Sequence, residues 1–159
     1  MLRLSKMTDY GTVVLAHMAR TPDAVLTAAD VAEATRVAAP TVSKLLKLLT
    51  RGGLLVSQRG ANGGYSLARD PEAISAVDVI DAIEGPVGLT ACSQDDGACD
   101  LESHCHIGSS WQRINGAIRN ALKDVSLRDL AEPESLTPPT VRLGKRQLNA
   151  LNIPIKVES

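Results

Sequence analysis

Every cysteine of this 159-residue chain lies in one short stretch, "ACSQDDGACDLESHC", residues 91–105. Cys92, Cys99 and Cys105 share it with four acidic residues and with no Lys or Arg. Thiolates gathered this closely hold a metal or cluster, or pair as a redox switch. Structural zinc sites usually pair their cysteines as C-x2–4-C, and the Cys-x6-Cys-x5-Cys spacing here contains no such knuckle. Iron–sulfur clusters take thiolates from looser loops, with His sometimes replacing Cys. Three thiols leave a remainder in any set of disulfides and fall one short of a four-cysteine site. The residues alone keep cluster, zinc and thiol switch open. His104 and His106, on either side of Cys105, are the local candidates for a fourth ligand; the plain alternative for each is an exposed loop residue.

The compartment bears on that choice. The opening "MLRLSKMTDYG" has no apolar run of signal-peptide length, and nothing approaches a membrane span. A cytoplasmic protein with no membrane partner is expected. Thiols stay reduced there, so clustered cysteines more often serve metal or redox chemistry than structural bridges.

The net charge of −1 hides a segregation. Residues 1–69 hold nine Lys/Arg against four Asp/Glu, and residues 70–110 hold nine Asp/Glu and no Lys/Arg. Residues 111–159 return to eight basic and five acidic. A basic first part beside an acidic middle suggests that the first part meets a polyanion. With no Phe, two Tyr and one Trp, the core must be aliphatic, which suits packed helices.

The elements that position these groups follow from periodicity. "MTDYGTVVLAHMAR", residues 7–20, reads as a helix capped by Thr8, with Tyr10, Val14 and Met18 at four-residue spacing. Thr27 caps "AADVAEAT"; after a short turn, Pro40 suits the first turn of "PTVSKLLKLLTR", which Gly52-Gly53 ends. Two short helices about a tight turn make a helix-turn-helix. Ala32 allows close approach, Val37 fills the turn, and Val42 and Leu45 point inward. The turn carries Thr35-Arg36 where Gly is commoner. "LLVSQRGANGGYSLA", residues 54–68, alternates and turns through a Gly-rich segment with Asn62-Gly63, a hairpin. It lacks the Gly-Lys-Ser/Thr ending of a phosphate loop and joins two strands. A hairpin directly after a helix-turn-helix is a winged helix. Ser75 then caps "SAVDVIDAIEG", with Val79, Ile80 and Ile83 inward. After the cysteines, Trp111, Ile114, Ile118, Ala121 or Leu122, and Val125 form a seam along a helix of about 17 residues. Such a seam packs back on its own domain or pairs with a second copy. From residue 132 the chain has four prolines and no sustained period, the composition of a flexible tail.

"LSKMTDYG", "PTVSKLLKLL", "QRGANGGY", "VIDAIEGP" and the three-cysteine loop, in that order, resemble the Rrf family of bacterial winged-helix regulators. The wording is most similar to the branch regulating the SUF iron–sulfur assembly operon. The resemblance covers about residues 1–130. It implies a mainly α fold: a winged helix-turn-helix over 1–69, a connecting helix over 70–90 and a cluster-binding cysteine loop over 91–108. A dimerisation helix and its end over 109–131 and a flexible tail over 132–159 complete it. It also implies a homodimer on a palindromic promoter site in double-stranded DNA, with two recognition helices meeting two half-sites. The expected function is transcriptional regulation, most simply repression of iron–sulfur assembly or redox-stress genes, and no enzyme activity. By the same resemblance Cys92, Cys99 and Cys105 hold a [2Fe-2S] or [4Fe-4S] cluster. In IscR-like members the fourth ligand is a His three residues after the last Cys; Gly108 stands there in this chain. In the NsrR branch an Asp in the matching "TD" supplies the bond from the partner chain, which makes Asp9 a further candidate. A zinc site or disulfide switch on the same winged helix is the alternative, and a thiol-based redox protein the more distant one.

The candidate DNA contacts are Thr41, Ser43, Lys44, Lys47, Arg59 and Asn62. Val42, Leu45, Leu46 and Leu49 occupy the inward face of the recognition helix, which turns Lys44 and Lys47 toward phosphates and Thr41 and Ser43 toward base edges. By resemblance, Arg59 at the wing tip enters the minor groove, whose narrow A/T-rich form attracts Arg.

Overall fold

Ser5, not Thr8, starts the first helix. In the computed structural model, which describes residues 3–60, 62–90 and 107–132, α1 spans Lys6–Ala19 and the Ser5 side chain accepts from the Thr8 N–H. The expected cap at Thr8 is corrected by packing: Thr8 is buried one turn inside, and its hydroxyl donates to the Glu84 carboxylate instead. Helix α2 (Ala28–Thr35) opens on the Thr27–Asp30 capping box, and Arg36 caps its other end in a left-handed conformation. Helix α3 (Ala39–Arg51) has Pro40 in its first turn and stops at Gly52. Its apolar residues Val42, Leu45, Leu46 and Leu49 are each 0% exposed, so one stripe of the helix forms the floor of the core.

Strands β1 (Leu55–Gln58) and β2 (Gly64–Leu67) pair antiparallel from Leu55–Leu67 to Gln58–Gly64. The loop between them turns through Gly60 and Gly63, whose N–H donates to the Gly60 carbonyl at 3.0 Å. A Cβ on Gly63 would stand 2.5 Å from the Gln58 carbonyl oxygen, so the bend requires glycine there. Leu26 adds a bridge to Tyr65 through two backbone hydrogen bonds of 2.8 and 2.9 Å, which fixes the hairpin to the connection between α1 and α2. The hairpin directly after α3 is the wing.

A 3₁₀ turn at Pro71–Ala73 leads into α4 (Ala76–Glu84), started by the Ser75–Asp78 capping box. Helix α5 (Gly108–Lys123) follows, and then α6 (Leu127–Ala131), opened by a third capping box between Ser126 and Asp129. Helix α6 turns back: Leu127 and Ala131 are buried in the same core as Val14, Leu15 and Met18 of α1. Ser75 and Ser126 form a backbone bridge beside it. One core thus runs through α1–α4, the first strand and α6. Helix α5 contributes little to it. Trp111 is 37% and Ile114 45% exposed, whereas Ile118 and Leu122 are half-buried against the end of α4.

Candidate nucleic-acid interface and its connection to the cysteine segment

Because α3 buries one stripe, its opposite side faces outward. Lys44 and Lys47 are exposed there, and Thr41 and Ser43 are half-buried beside them. Arg51 is exposed as well and, seven residues after Lys44, falls on the same helix face. It extends the basic stripe by one turn. The sequence reading missed it although the steps of three and four residues from Lys44 to Lys47 to Arg51 were visible. On the wing, Arg59 and Asn62 are both exposed in the loop between the strands. Gly60, next to Arg59, has φ 119°, a conformation that suits glycine and lets the backbone carry the guanidinium outward.

Asp9 is exposed in the first turn of α1. It borders a cavity of about 380 Å³ with Tyr10 and Val13 of its own helix and with Thr35, Arg36, Val37, Ala38 and Thr41. The structure thereby brings Asp9 beside the turn of the helix-turn-helix and the start of the recognition helix. Cys92, Cys99, Cys105, His104 and His106 lie outside the described residues, as does the expected tail beyond residue 132. Among the described residues no group of three or more His, Cys, Asp or Glu is placed to hold a metal ion.

Two carboxylates of α4 tie the approach to the cysteine segment into this frame. Glu84 accepts the Thr8 hydroxyl and the Ser5 N–H, the latter at 2.9 Å. The Thr8 hydroxyl first, and the Ser5 N–H second, hold its carboxyl below the usual glutamate range. The two helices also approach closely at Gly11, where a Cβ would meet Ile83 Cδ1 at 2.3 Å. Asp81 takes a bidentate ion pair from Arg119 of α5 at 2.7 and 3.1 Å, and its Oδ1 also accepts the Val87 N–H at 3.0 Å. Asn115 of α5 donates to the Val87 carbonyl at 3.2 Å. Helix α4 therefore grips α1 with one carboxylate, and α5 and the backbone at Val87 with the other. Val87 is four residues from the start of the cysteine stretch. None of these partners has a local sequence signal.

No helix among the described residues is long and apolar enough to cross a membrane. The chain is similar to the protein rrf2 of Nitratidesulfovibrio vulgaris (Hildenborough), with 28% identity over 86% of this chain and 92% of that one. Its fold is similar to the solved structure of CymR, described as the global cysteine regulator of Bacillus subtilis. That match has a TM-score of 0.64 and 29% identity, covering 84% of this chain and 98% of CymR. The solved structure of T. potens IscR matches with a TM-score of 0.61 and 25% identity over 84% and 88% of the two chains. The Rrf2 family model, described as an iron-dependent transcriptional regulator, matches residues 4–133. The mainly helical fold with its two-stranded wing is the winged helix of these regulators. The chain belongs to the Rrf2 family of transcriptional regulators.

Proposed function

We propose that this protein is a homodimeric regulator that binds a palindromic promoter site through α3 and the wing, with an affinity set by an iron–sulfur cluster. The observation that carries the DNA-binding part is the exposed basic stripe Lys44, Lys47 and Arg51 on a helix whose other face is wholly buried. Lys44 and Lys47 serve phosphates, Thr41 and Ser43 approach base edges, and Arg59 enters the minor groove with Asn62 beside it. The half-exposed Trp111–Ile114 end of α5 supports pairing with a second copy.

Three thiolates and an exposed carboxylate on α1 are a donor set that fits an iron–sulfur cluster. Cys92, Cys99 and Cys105 would hold it, with Asp9 of the partner chain as fourth ligand and His104 or His106 as the local alternatives. When bound, the group supplies a redox- and ligand-sensitive state that a regulator can report. The iron-dependent description of the family supports this reading. The position of Asp9, on the cavity it shares with the helix-turn-helix turn, supports it too: a ligand there couples cluster state to the reading helix. A carboxylate oxygen is a weaker partner for iron than thiolate and is the bond most readily surrendered.

The similarity to CymR favours a second reading in which the same cysteines act as a thiol switch. An absorption spectrum of protein purified without oxygen separates the two. A brown protein with a broad band near 400 nm indicates a cluster, whereas a colourless protein with redox-dependent DNA binding indicates the switch. Asp9→Ala should alter the spectrum and uncouple cluster state from DNA affinity. A parental spectrum in that variant, with loss in His104→Ala or His106→Ala, would assign the ligand to the local histidine.

A further inference from the structure

Arg36 stands in a conformation that its residue type disfavours. Its φ of 58° and ψ of 20° make it the one non-glycine residue with positive φ among the described residues. A left-handed backbone costs an L-residue roughly 1–2 kcal/mol and costs glycine almost nothing. Gly or Asn is the usual solution at a helix C-terminus that turns this way. The turn itself does not need the Arg side chain. Thr35 organises it, donating its hydroxyl to the Val31 carbonyl at 2.6 Å and accepting the Val37 N–H at 3.4 Å. The Arg36 side chain is exposed, and among the described residues no ion pair or hydrogen bond engages its guanidinium. A strained position carrying an unengaged cation calls for a partner outside the chain.

Its surroundings specify the charge of that partner. Arg36 lies two residues before Ala38, the N-cap of α3, and borders the same cavity as Thr41. Helices α1, α2, α4 and α6 each begin with a Ser or Thr cap and an Asp in the first turn. Helix α3, like α5, begins with neither a side-chain cap nor an acid. Among the described residues the one carboxylate bordering the cavity is Asp9, which is not ion-paired with Arg36. A free guanidinium beside an uncompensated helix start suits an anion, and a phosphate takes the planar fork of Arg in two parallel hydrogen bonds.

We infer that Arg36 is a further DNA-contacting residue, binding a backbone phosphate at the edge of the groove that α3 reads. The inference rests on the DNA-binding reading above. It accounts for an Arg where glycine would be the more stable choice: stability is given up for affinity.

The test uses the full-length protein and a mixed-sequence duplex of about 30 base pairs, with binding followed by fluorescence anisotropy over a salt series. Arg36→Gly should melt a few degrees higher than the parent, because the backbone strain is gone. The same variant should bind about tenfold more weakly at physiological salt. Its salt slope should fall by about 0.9, the value of one phosphate contact. Arg36→Lys should keep the parental slope. Arg36→Asn, which also tolerates the left-handed backbone, should repeat the affinity loss, so a poorly folding glycine variant does not decide the matter. Parental affinity and slope in Arg36→Gly or Arg36→Asn, while Lys47→Ala weakens binding, would overturn the role of Arg36 alone. A parent protein that binds no duplex at low salt would overturn the DNA-binding reading and this one with it.

Discussion

Replacing Glu84 tests whether α4 holds the start of α1 where the fold needs it. Its carboxylate accepts from Thr8, whose side chain is buried at 1% exposure, and from the exposed Ser5 N–H. Glu84→Ala leaves the Thr8 hydroxyl in a buried setting without its acceptor, a cost of about 1–2 kcal/mol. Water replaces the carboxylate at Ser5, so that bond adds only a few tenths. The carboxylate is itself exposed, and solvent screening keeps the charged part of the interaction small. Its negative charge opposes the dipole at the end of α4 and favours the dipole at the start of α1, and these effects largely cancel. The net expectation is a loss of about 1.5 kcal/mol at neutral pH, or roughly 3–6 °C in Tm for a chain of this length. Thr8→Val with Glu84→Ala should cost clearly less than the sum of the two single changes, because each removes the same bond. The pH dependence has a definite sign. The folded-state pKa of Glu84 is lowered, so its contribution is complete above the ordinary glutamate range and disappears as pH falls through the folded value. Urea unfolding of parent and variant at neutral and acidic pH measures this directly. A difference below about 0.3 kcal/mol at neutral pH, or one that persists unchanged in acid, would refute the reasoning.

The other expectations can be checked with the same protein. Leu45 is 0% exposed, and Leu45→Ala should cost about 3 kcal/mol in denaturant unfolding; a loss under 1 kcal/mol would mean that the core beneath α3 refills the cavity. Ile114→Glu places a charge on the exposed end of the α5 seam and should shift the protein to a monomer by light scattering with little change in monomer stability; an unchanged dimer mass would place the interface elsewhere. Arg59→Ala should weaken DNA binding by about 1–3 kcal/mol, with the larger loss on duplexes carrying A/T-rich flanks. Equal loss on A/T-rich and G/C-rich flanks would mean that Arg59 touches phosphate rather than the narrowed groove.

The order of the elements from α1 through the wing to α4 and α5 was legible in the sequence because each of these carries local signals. The α3 pattern puts Val42, Leu45, Leu46 and Leu49 on one stripe by the helical period alone, and the structure buries all four. Thr27 and Ser75 cap where they were expected, since a capping bond spans only three residues. The Gly-rich wing was equally readable, although the bend closes from Gly60 to Gly63 rather than on Asn62-Gly63 alone. The basic character of the first part and the inventory of thiols were likewise sequence properties.

Tertiary structure decided what depends on distant partners. Thr8 and Ser5 are both plausible caps by residue type. Thr8 lost that role because Glu84, 76 residues later, arrives beside it, on a helix that also approaches α1 closely at Gly11. Helix α6 is too short to show a period, and only packing revealed that Leu127 and Ala131 complete the core around α1. The Arg36 backbone had no signal beyond an unexpected residue in a turn; its positive φ, at the C-cap of α2, is visible only in the folded chain. Hydrogen-bond caps and amphipathic stripes are written in spacings of two to four residues. The contacts joining α4 to α1 and α5 are chosen by which surfaces meet once those stripes are buried.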